Sequence, residues 1–151
     1  LHWEYESFLG RTTEQAIGAS GDRLAWMTEG RSDYEIALPL HELAAFARAE
    51  SYYAGIPRTL RLAQIDHIAR LYDSLYPSLR LFLYDARRLY SSPVTVFGPL
   101  LAVIYLGANY LVFRDTERVQ MVTRHFDKLV READIADRDL PRHLAALRAR
   151  L

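Results

Sequence analysis

The feature that most constrains the fold is residues 94–113, in which three short apolar runs are separated by two breaks. The breaks are Gly98-Pro99 and Gly107-Ala108-Asn109, and the runs are rich in β-branched and aromatic residues. Such runs favour strands, and the residues of the breaks favour tight turns. Because short connections allow only antiparallel neighbours, the stretch predicts a meander with strands at about 94–97, 101–106 and 110–114.

A further strand is predicted immediately before the meander, at about 79–84. There leucines alternate with larger side chains: Leu79, Leu81 and Leu83 against Arg80, Phe82 and Tyr84. Successive side chains of a strand point to opposite faces, so the leucines are expected to face the core. Residues 85–93 connect this strand to the meander. We therefore expect one mainly antiparallel, four-stranded sheet.

Helices are predicted both before and after these strands in the sequence. Apolar residues recur at helical spacing in four segments, at about 40–53, 60–76, 116–133 and 140–151, and two weaker pieces lie at 3–9 and 13–29. Residues 34–38 alternate weakly, as a short extended segment would. Because the helices and strands are segregated, the order favours an α+β fold with amphipathic helices over a doubly wound parallel sheet. We expect one domain over 1–151, mainly helical up to about residue 76.

Composition excludes several classes of site. Nineteen basic and nineteen acidic residues cancel, which removes the basic footprint of a domain that grips nucleic acid by itself. The chain has no cysteine, so it has no disulfide, thiolate metal site or cysteine nucleophile. Neither a signal peptide nor a membrane-spanning helix is predicted, since a spanning helix needs about 20 unbroken apolar residues. We expect a cytoplasmic fragment of a longer protein.

No motif predicts catalysis, metal binding or a cofactor. The five histidines lack zinc-site spacing, and His125 and Asp127 would point about 200° apart on a helix. Ser91 and Ser92 lie outside any Gly-x-Ser-x-Gly pattern. Gly98 and the glycine at 107 are isolated in hairpin turns, unlike the glycines of phosphate-binding loops. We therefore expect no catalytic residue, no metal and no cofactor.

Tyrosine and arginine are concentrated around the predicted sheet. The face opposite the leucines of strand 79–84 would present aromatic rings with polar tips, and we expect something to pack over these rings and cover them. The cover could be the N-terminal helices, a second subunit, or a small anionic or aromatic ligand. The candidate ligand-binding residues are Arg80, Phe82, Tyr84, Tyr90, Tyr105 and Tyr110.

Much of the chain, from about residue 25 to residue 133, resembles a known group of proteins. The stretches that carry the likeness are 76–85 (YPSLRLFLYD), 91–98 (SSPVTVFG), 104–107 (IYLG), 110–113 (YLVF) and 123–130 (TRHFDKLV). They resemble the C-terminal portion of certain bacterial helix-turn-helix transcriptional regulators, in which an Xre-type DNA-binding domain precedes such a region. The resemblance implies an effector-sensing or dimerising domain in the cytoplasm. It implies no particular site residues.

The function expected from these observations is effector sensing, dimerisation or both, in a bacterial transcriptional regulator. The expected partners are a second copy of the chain and a small-molecule effector, with DNA contacted only through a domain that is not in this chain and no membrane involved. Two alternatives remain open at this point. One is a small cytoplasmic enzyme with a Tyr/Arg/His pocket that lacks a recognisable motif, and the other is a purely structural protein-interaction module.

Overall fold

The computed structural model describes residues 25, 29, 33–107 and 109–151. The helical piece predicted at 3–9, and nearly all of the one predicted at 13–29, lie outside these residues. The chain divides into two compact units. One consists of 33–90 and 129–151, and we call it the parallel unit. The described part of the other lies mainly within 91–128, and we call it the meander unit.

The parallel unit is built on two parallel strands. Strand β1 (Tyr34–Pro39) pairs with β2 (Leu79–Tyr84), with Tyr34 opposite Leu79 and Pro39 opposite Tyr84. Parallel strands need a long crossover. Here it contains helix α1 (Leu40–Arg48), a 3₁₀ turn (Ser51–Tyr53) and helix α2 (Arg58–Leu75). The predicted helix 40–53 stops early because Ala49 takes a left-handed conformation, with φ 54°.

The predicted four-stranded antiparallel sheet is wrong. The described strands form a two-stranded parallel sheet and a separate three-stranded antiparallel sheet, so β2 does not belong to the meander. Five of the six residues of β2 are buried, among them Phe82 and Tyr84 on the face opposite the leucines. Burial on both faces is typical of a strand in a parallel sheet, whose sequence is a nearly continuous apolar run with no apolar/polar alternation.

The C-terminal segment completes the parallel unit. Backbone hydrogen bonds join Leu83 and Ile135 in both directions, at 2.9 and 3.1 Å, so this segment lies along the edge of β2 that is not paired with β1. A 3₁₀ turn (Asp137–Asp139) then leads into helix α4 (Leu140–Ala149), which contacts α1 and α2. The most deeply buried side chains of the unit come from α2, β2 and α4: Ile65, Leu83, Leu140 and Leu144.

The meander predicted at 94–113 is confirmed. It consists of β3 (Val94–Phe97), β4 (Leu101–Leu106) and β5 (Asn109–Phe113), paired antiparallel in the order β3-β4-β5. Gly98 and Gly107 occupy the two turns with φ of 51° and 60°, which glycine adopts more easily than other residues. Helix α3 (Thr116–Arg131) follows. As predicted, Asp115 caps it by accepting a 3.0 Å hydrogen bond from the N–H of Arg118.

The two faces of the meander differ in their contacts. On one face, the buried Ala102 packs with Val119 and Val122 of α3, and the partly buried Val94, Val96, Ile104 and Phe113 surround this cluster. Strand register places a second set of residues together on the opposite face: Thr95, Phe97, Leu101, Val103, Tyr105, Tyr110 and Val112. We call this set the uncharged face, because it carries no acid, lysine, arginine or histidine.

Candidate functional site

The six residues proposed from the sequence are divided between the two units. Arg80 forms a 2.5 Å ion pair with Glu35, its neighbour across the parallel pair. Phe82 and Tyr84 are buried, with exposed fractions of 7% and 4%. Tyr90 is 82% exposed in the connector after β2. Arg80 is therefore engaged in an ion pair, Phe82 and Tyr84 belong to the core, and Tyr90 is open to solvent.

Tyr105 and Tyr110 are brought together on the uncharged face. They lie directly opposite each other on β4 and β5. The hydroxyl of Tyr105 is 3.5 Å from that of Thr95 on β3, whereas Tyr110 is 59% exposed. Because β2 belongs to a different sheet, the continuous aromatic face expected across all four strands does not form. What remains is a smaller aromatic surface on the meander alone.

A carboxylate that accepts a hydrogen bond from a phenol in the parallel unit was not predicted from the sequence. The hydroxyl of Tyr53 donates a 2.9 Å hydrogen bond to Oε2 of Glu42 in the first turn of α1. Burial and then this hydrogen bond raise the pKa of Tyr53 to about 12, so its proton stays in place at physiological pH. Burial, with the charge of Glu42 acting in the same direction, also raises the pKa of Tyr84.

Aromatic rings extend this cluster to the surface. The ring of Tyr53 makes edge contacts with Phe46 at 5.4 Å and with Tyr52 at 5.3 Å, between ring centres. Tyr52 is 45% exposed, and the side chain of Glu42 is 47% exposed. We call Glu42, Tyr52, Tyr53 and Tyr84 the Glu42 cluster. It offers a negative charge next to exposed aromatic surface, a combination that suits an organic cation.

Arginines of the connector are engaged by nearby aspartates. Asp85 accepts hydrogen bonds from the guanidinium and then the backbone N–H of Arg87, which lower the pKa of Asp85 to about 2. Arg88 pairs with Asp134, whose other oxygen accepts a 2.9 Å hydrogen bond from the backbone of Asp85. The positive charges of Arg87 and Arg88 are therefore balanced locally, which makes this segment a poor site for an anion.

Ser91 and His125 come together in the meander unit, a contact that their spacing of 34 residues did not predict. His125 Nε2 is 2.9 Å from Ser91 Oγ. The hydroxyl of Ser91 donates instead to the carbonyl of Ser92, at 2.7 Å, so His125 is left as the donor in its contact. A nucleophilic serine needs the reverse arrangement, with histidine accepting its proton. No carboxylate of the described residues bonds the other nitrogen of His125, so the pair lacks the third group of a triad.

Helix α4 contains a buried imidazole nitrogen, Nε2 of His143. Among the described residues, Nε2 of His143 has no hydrogen-bond partner. Burial lowers the pKa of His143 below its usual 6.5, and the charge of Arg150 acts in the same direction. The unfolded chain therefore takes up this proton at a higher pH than the folded chain does.

We expect the stability of the protein to fall as the pH is lowered through this range. The contribution of neutral His143 is fully present above about pH 6.5 and is lost as the pH falls through the lowered pKa of the folded state. Urea denaturation between pH 7.5 and pH 5 measures it. His143→Gln should flatten the dependence, whereas His67→Gln, at an exposed position, should not; equal slopes in all three proteins would contradict the assignment.

Other kinds of site find little support in the described part of the chain. No group of three or more His, Asp or Glu side chains is placed to hold a metal ion. A groove of about 280 Å³ lies beside the β3–β4 turn and α3, lined by Gly98, Pro99, Thr116, Val119, Gln120, Thr123 and Arg124. It is open and lies just below the size range of about 300–1,000 Å³ of typical ligand pockets. None of the described helices combines the length and apolar character needed to cross a bilayer.

Comparison with known proteins adds no relative. No protein-family model, no curated protein and no solved structure matches this chain.

Proposed function

We propose that this chain is a non-catalytic regulatory module of a bacterial transcriptional regulator, cytoplasmic and homodimeric, with DNA contacted only through a separate DNA-binding domain. In such a protein, self-association sets the spacing of two DNA-binding heads, because operator half-sites lie about 34–36 Å apart. An effector would act by favouring one arrangement of the dimer over another.

The observation that carries this proposal is the exposed apolar surface of the meander unit. Phe97, Tyr110 and Val112 of the uncharged face are 53%, 59% and 42% exposed. A contiguous exposed apolar patch on a soluble protein often marks an interaction site. The polar groups, by contrast, are largely held in internal pairs, and Ser91 and His125 lack the arrangement of a catalytic pair. Association is therefore better supported than catalysis.

The proposal is tested by measuring the molecular mass in solution. Sedimentation velocity from 1 to 300 μM should show a reversible monomer–dimer equilibrium at neutral pH. The dimer should persist in 0.5 M NaCl, because the uncharged face carries no Asp, Glu, Lys, Arg or His whose charge salt could screen. A monomer over the whole concentration range would overturn the association role.

The Glu42 cluster supports an effector role for the parallel unit. Its half-exposed carboxylate lies beside tyrosine rings, and a cation above such rings is attracted to their faces as well as to the carboxylate. The effector class that this chemistry fits is an organic cation, such as an alkylammonium group. An anion is disfavoured, because Glu42 is itself negative.

Choline and its uncharged carbon analogue 3,3-dimethylbutanol distinguish charge recognition from shape recognition. We expect choline, in the millimolar range, to shift the NMR signals of the Tyr52 and Tyr53 rings, and the analogue to leave them unchanged. Glu42→Gln should abolish the shifts, while Glu50→Gln, which removes a 52% exposed carboxylate three residues before Tyr53 in the chain, should retain them. Equal shifts from both compounds, or full retention in Glu42→Gln, would contradict the site.

A further inference from the structure

Among the strands that the structure describes, β5 lies at the edge of its sheet, and it has exposed side chains on both faces. Its inner edge pairs with β4, and among the described residues no strand pairs with its outer edge. Tyr110 and Val112 point to one face and Leu111 to the other, yet all three are exposed, at 59%, 42% and 48%. An apolar edge strand of this kind is a template for pairing with another strand.

The opposite edge of the same sheet carries features that hinder pairing, and the residues of β5 themselves carry none of them. Strand β3 has four residues, is preceded by Pro93, and is followed by Gly98 and Pro99. Short edges bounded by proline resist pairing, because proline has no N–H to donate. Strand β5, Asn-Tyr-Leu-Val-Phe, contains neither proline nor a charged residue. The two edges therefore differ in the features that normally prevent association.

The backbone groups that face the outer edge can be assigned from the hairpin. Leu106 and Asn109 are opposite each other, with two residues between them in the sequence. In such a hairpin the closing pair exchanges hydrogen bonds, and bonded and non-bonded pairs then alternate along the strands. Leu111 consequently bonds inward to Ile104. The N–H and C=O groups of Tyr110 and Val112 point outward.

We propose that β5 pairs antiparallel with β5 of a second copy of this chain, about a two-fold axis at Leu111. Tyr110 then lies opposite the partner's Val112, and each of these two pairs exchanges two backbone hydrogen bonds. Leu111 lies opposite the partner's Leu111 in a non-bonded pair, where Cα atoms approach to about 4.5 Å. The two three-stranded meanders thus join into one six-stranded sheet.

The absence of charge favours a second copy as the occupant of this edge. A two-fold contact places groups near the axis against their own copies, so a charged patch would repel itself. Strand β5 has no charged residue, and the whole chain has a formal net charge of +0. A strongly charged partner would find nothing complementary on this strand. The edge therefore meets the electrostatic condition for self-association.

The size of the contact predicts its strength. A stable interface buries about 800 Å² per partner, whereas the proposed contact consists of one five-residue strand and its flanking side chains. We therefore expect a reversible dimer with Kd in the micromolar range. This inference rests on the proposed function and adds the surface and the register through which association occurs.

Opposite charges at the axis provide the test. In Leu111→Lys and in Leu111→Glu, like charges meet at the two-fold, and the Kd measured by sedimentation should rise by about tenfold or more for each variant alone. An equimolar mixture of the two variants should recover dimers, because lysine then faces glutamate. Recovery also shows that both variants are folded, which circular dichroism checks independently.

Leu100 supplies the matched control, since it is a 73% exposed leucine in the β3–β4 turn of the same unit. Leu100→Lys and Leu100→Glu should leave the dimer unchanged. A wild-type dimer that survives both Leu111 substitutions would overturn this register while leaving the association role intact. A wild-type protein that is monomeric at 300 μM would overturn both.

Discussion

Replacing Leu83 with alanine is expected to lower the free energy of unfolding by about 2–5 kcal/mol, the range found for large-to-small substitutions in protein cores. Leu83 is fully buried in the centre of the parallel unit. Its backbone pairs with β1 on one side and with Ile135 on the other, so the surrounding chain is held in place. A site that cannot collapse keeps the cavity, which places the expected loss in the upper part of this range.

Chemical denaturation followed by circular dichroism measures this loss. Leu100→Ala is the control, because it removes the same atoms from a 73% exposed side chain and should change the stability by no more than about 0.5 kcal/mol. Similar losses in the two variants would show that Leu83 is not at the core of the unit.

The meander could be predicted from the sequence and the parallel pair could not. The reason is how far apart the paired strands lie along the chain. Turns at Gly98 and Gly107 bring neighbouring segments together, so local chemistry determines both the strands and their pairing. The pairing of β1 with β2 joins segments separated by the whole crossover from α1 to α2. No local signal encodes such a partner, and β1 itself alternates only weakly.

The composition of β2 did contain a clue to the correct arrangement. Its sequence, Leu-Arg-Leu-Phe-Leu-Tyr, has a single charged residue, and a half-solvated antiparallel strand would carry more polar side chains on its outer face. Arg80 is accommodated by its ion pair with Glu35, directly across on β1. A nearly continuous apolar strand with one charge is thus compatible with burial on both faces.

The candidate sites were harder to predict than the strands, because their residues are distant in sequence. Glu42 meets Tyr53 only because α1 ends at Arg48 and the chain turns back through the 3₁₀ turn. His125 meets Ser91 across 34 residues. Of the six residues selected from the sequence, Tyr105 and Tyr110 are paired, since the hairpin that joins them is local. Sequence patterns locate aromatic residues, but tertiary packing determines which of them meet.

Overfilling the core of the meander unit is expected to have the second large effect. Ala102 is fully buried on β4, opposite Val96 on β3 and Phe113 on β5, and packs beneath Val119 and Val122 of α3. A small side chain here lets the helix lie close to the sheet. Ala102→Leu adds three carbon atoms without space for them, and we expect a loss of about 1–3 kcal/mol from forced rotamers and backbone shifts.

The same substitution should also weaken association. Phe113 of β5 lies directly opposite Ala102, so displacing Phe113 disturbs the strand that pairs across the two-fold. Leu100→Phe is the control: it enlarges a 73% exposed side chain in the β3–β4 turn, outside the proposed contact, and should leave stability unchanged within about 0.5 kcal/mol. Denaturation and sedimentation of both variants separate the two effects. If Ala102→Leu were as stable as the wild type, space would exist between α3 and the sheet, and the close packing that holds β5 in position would be disproved.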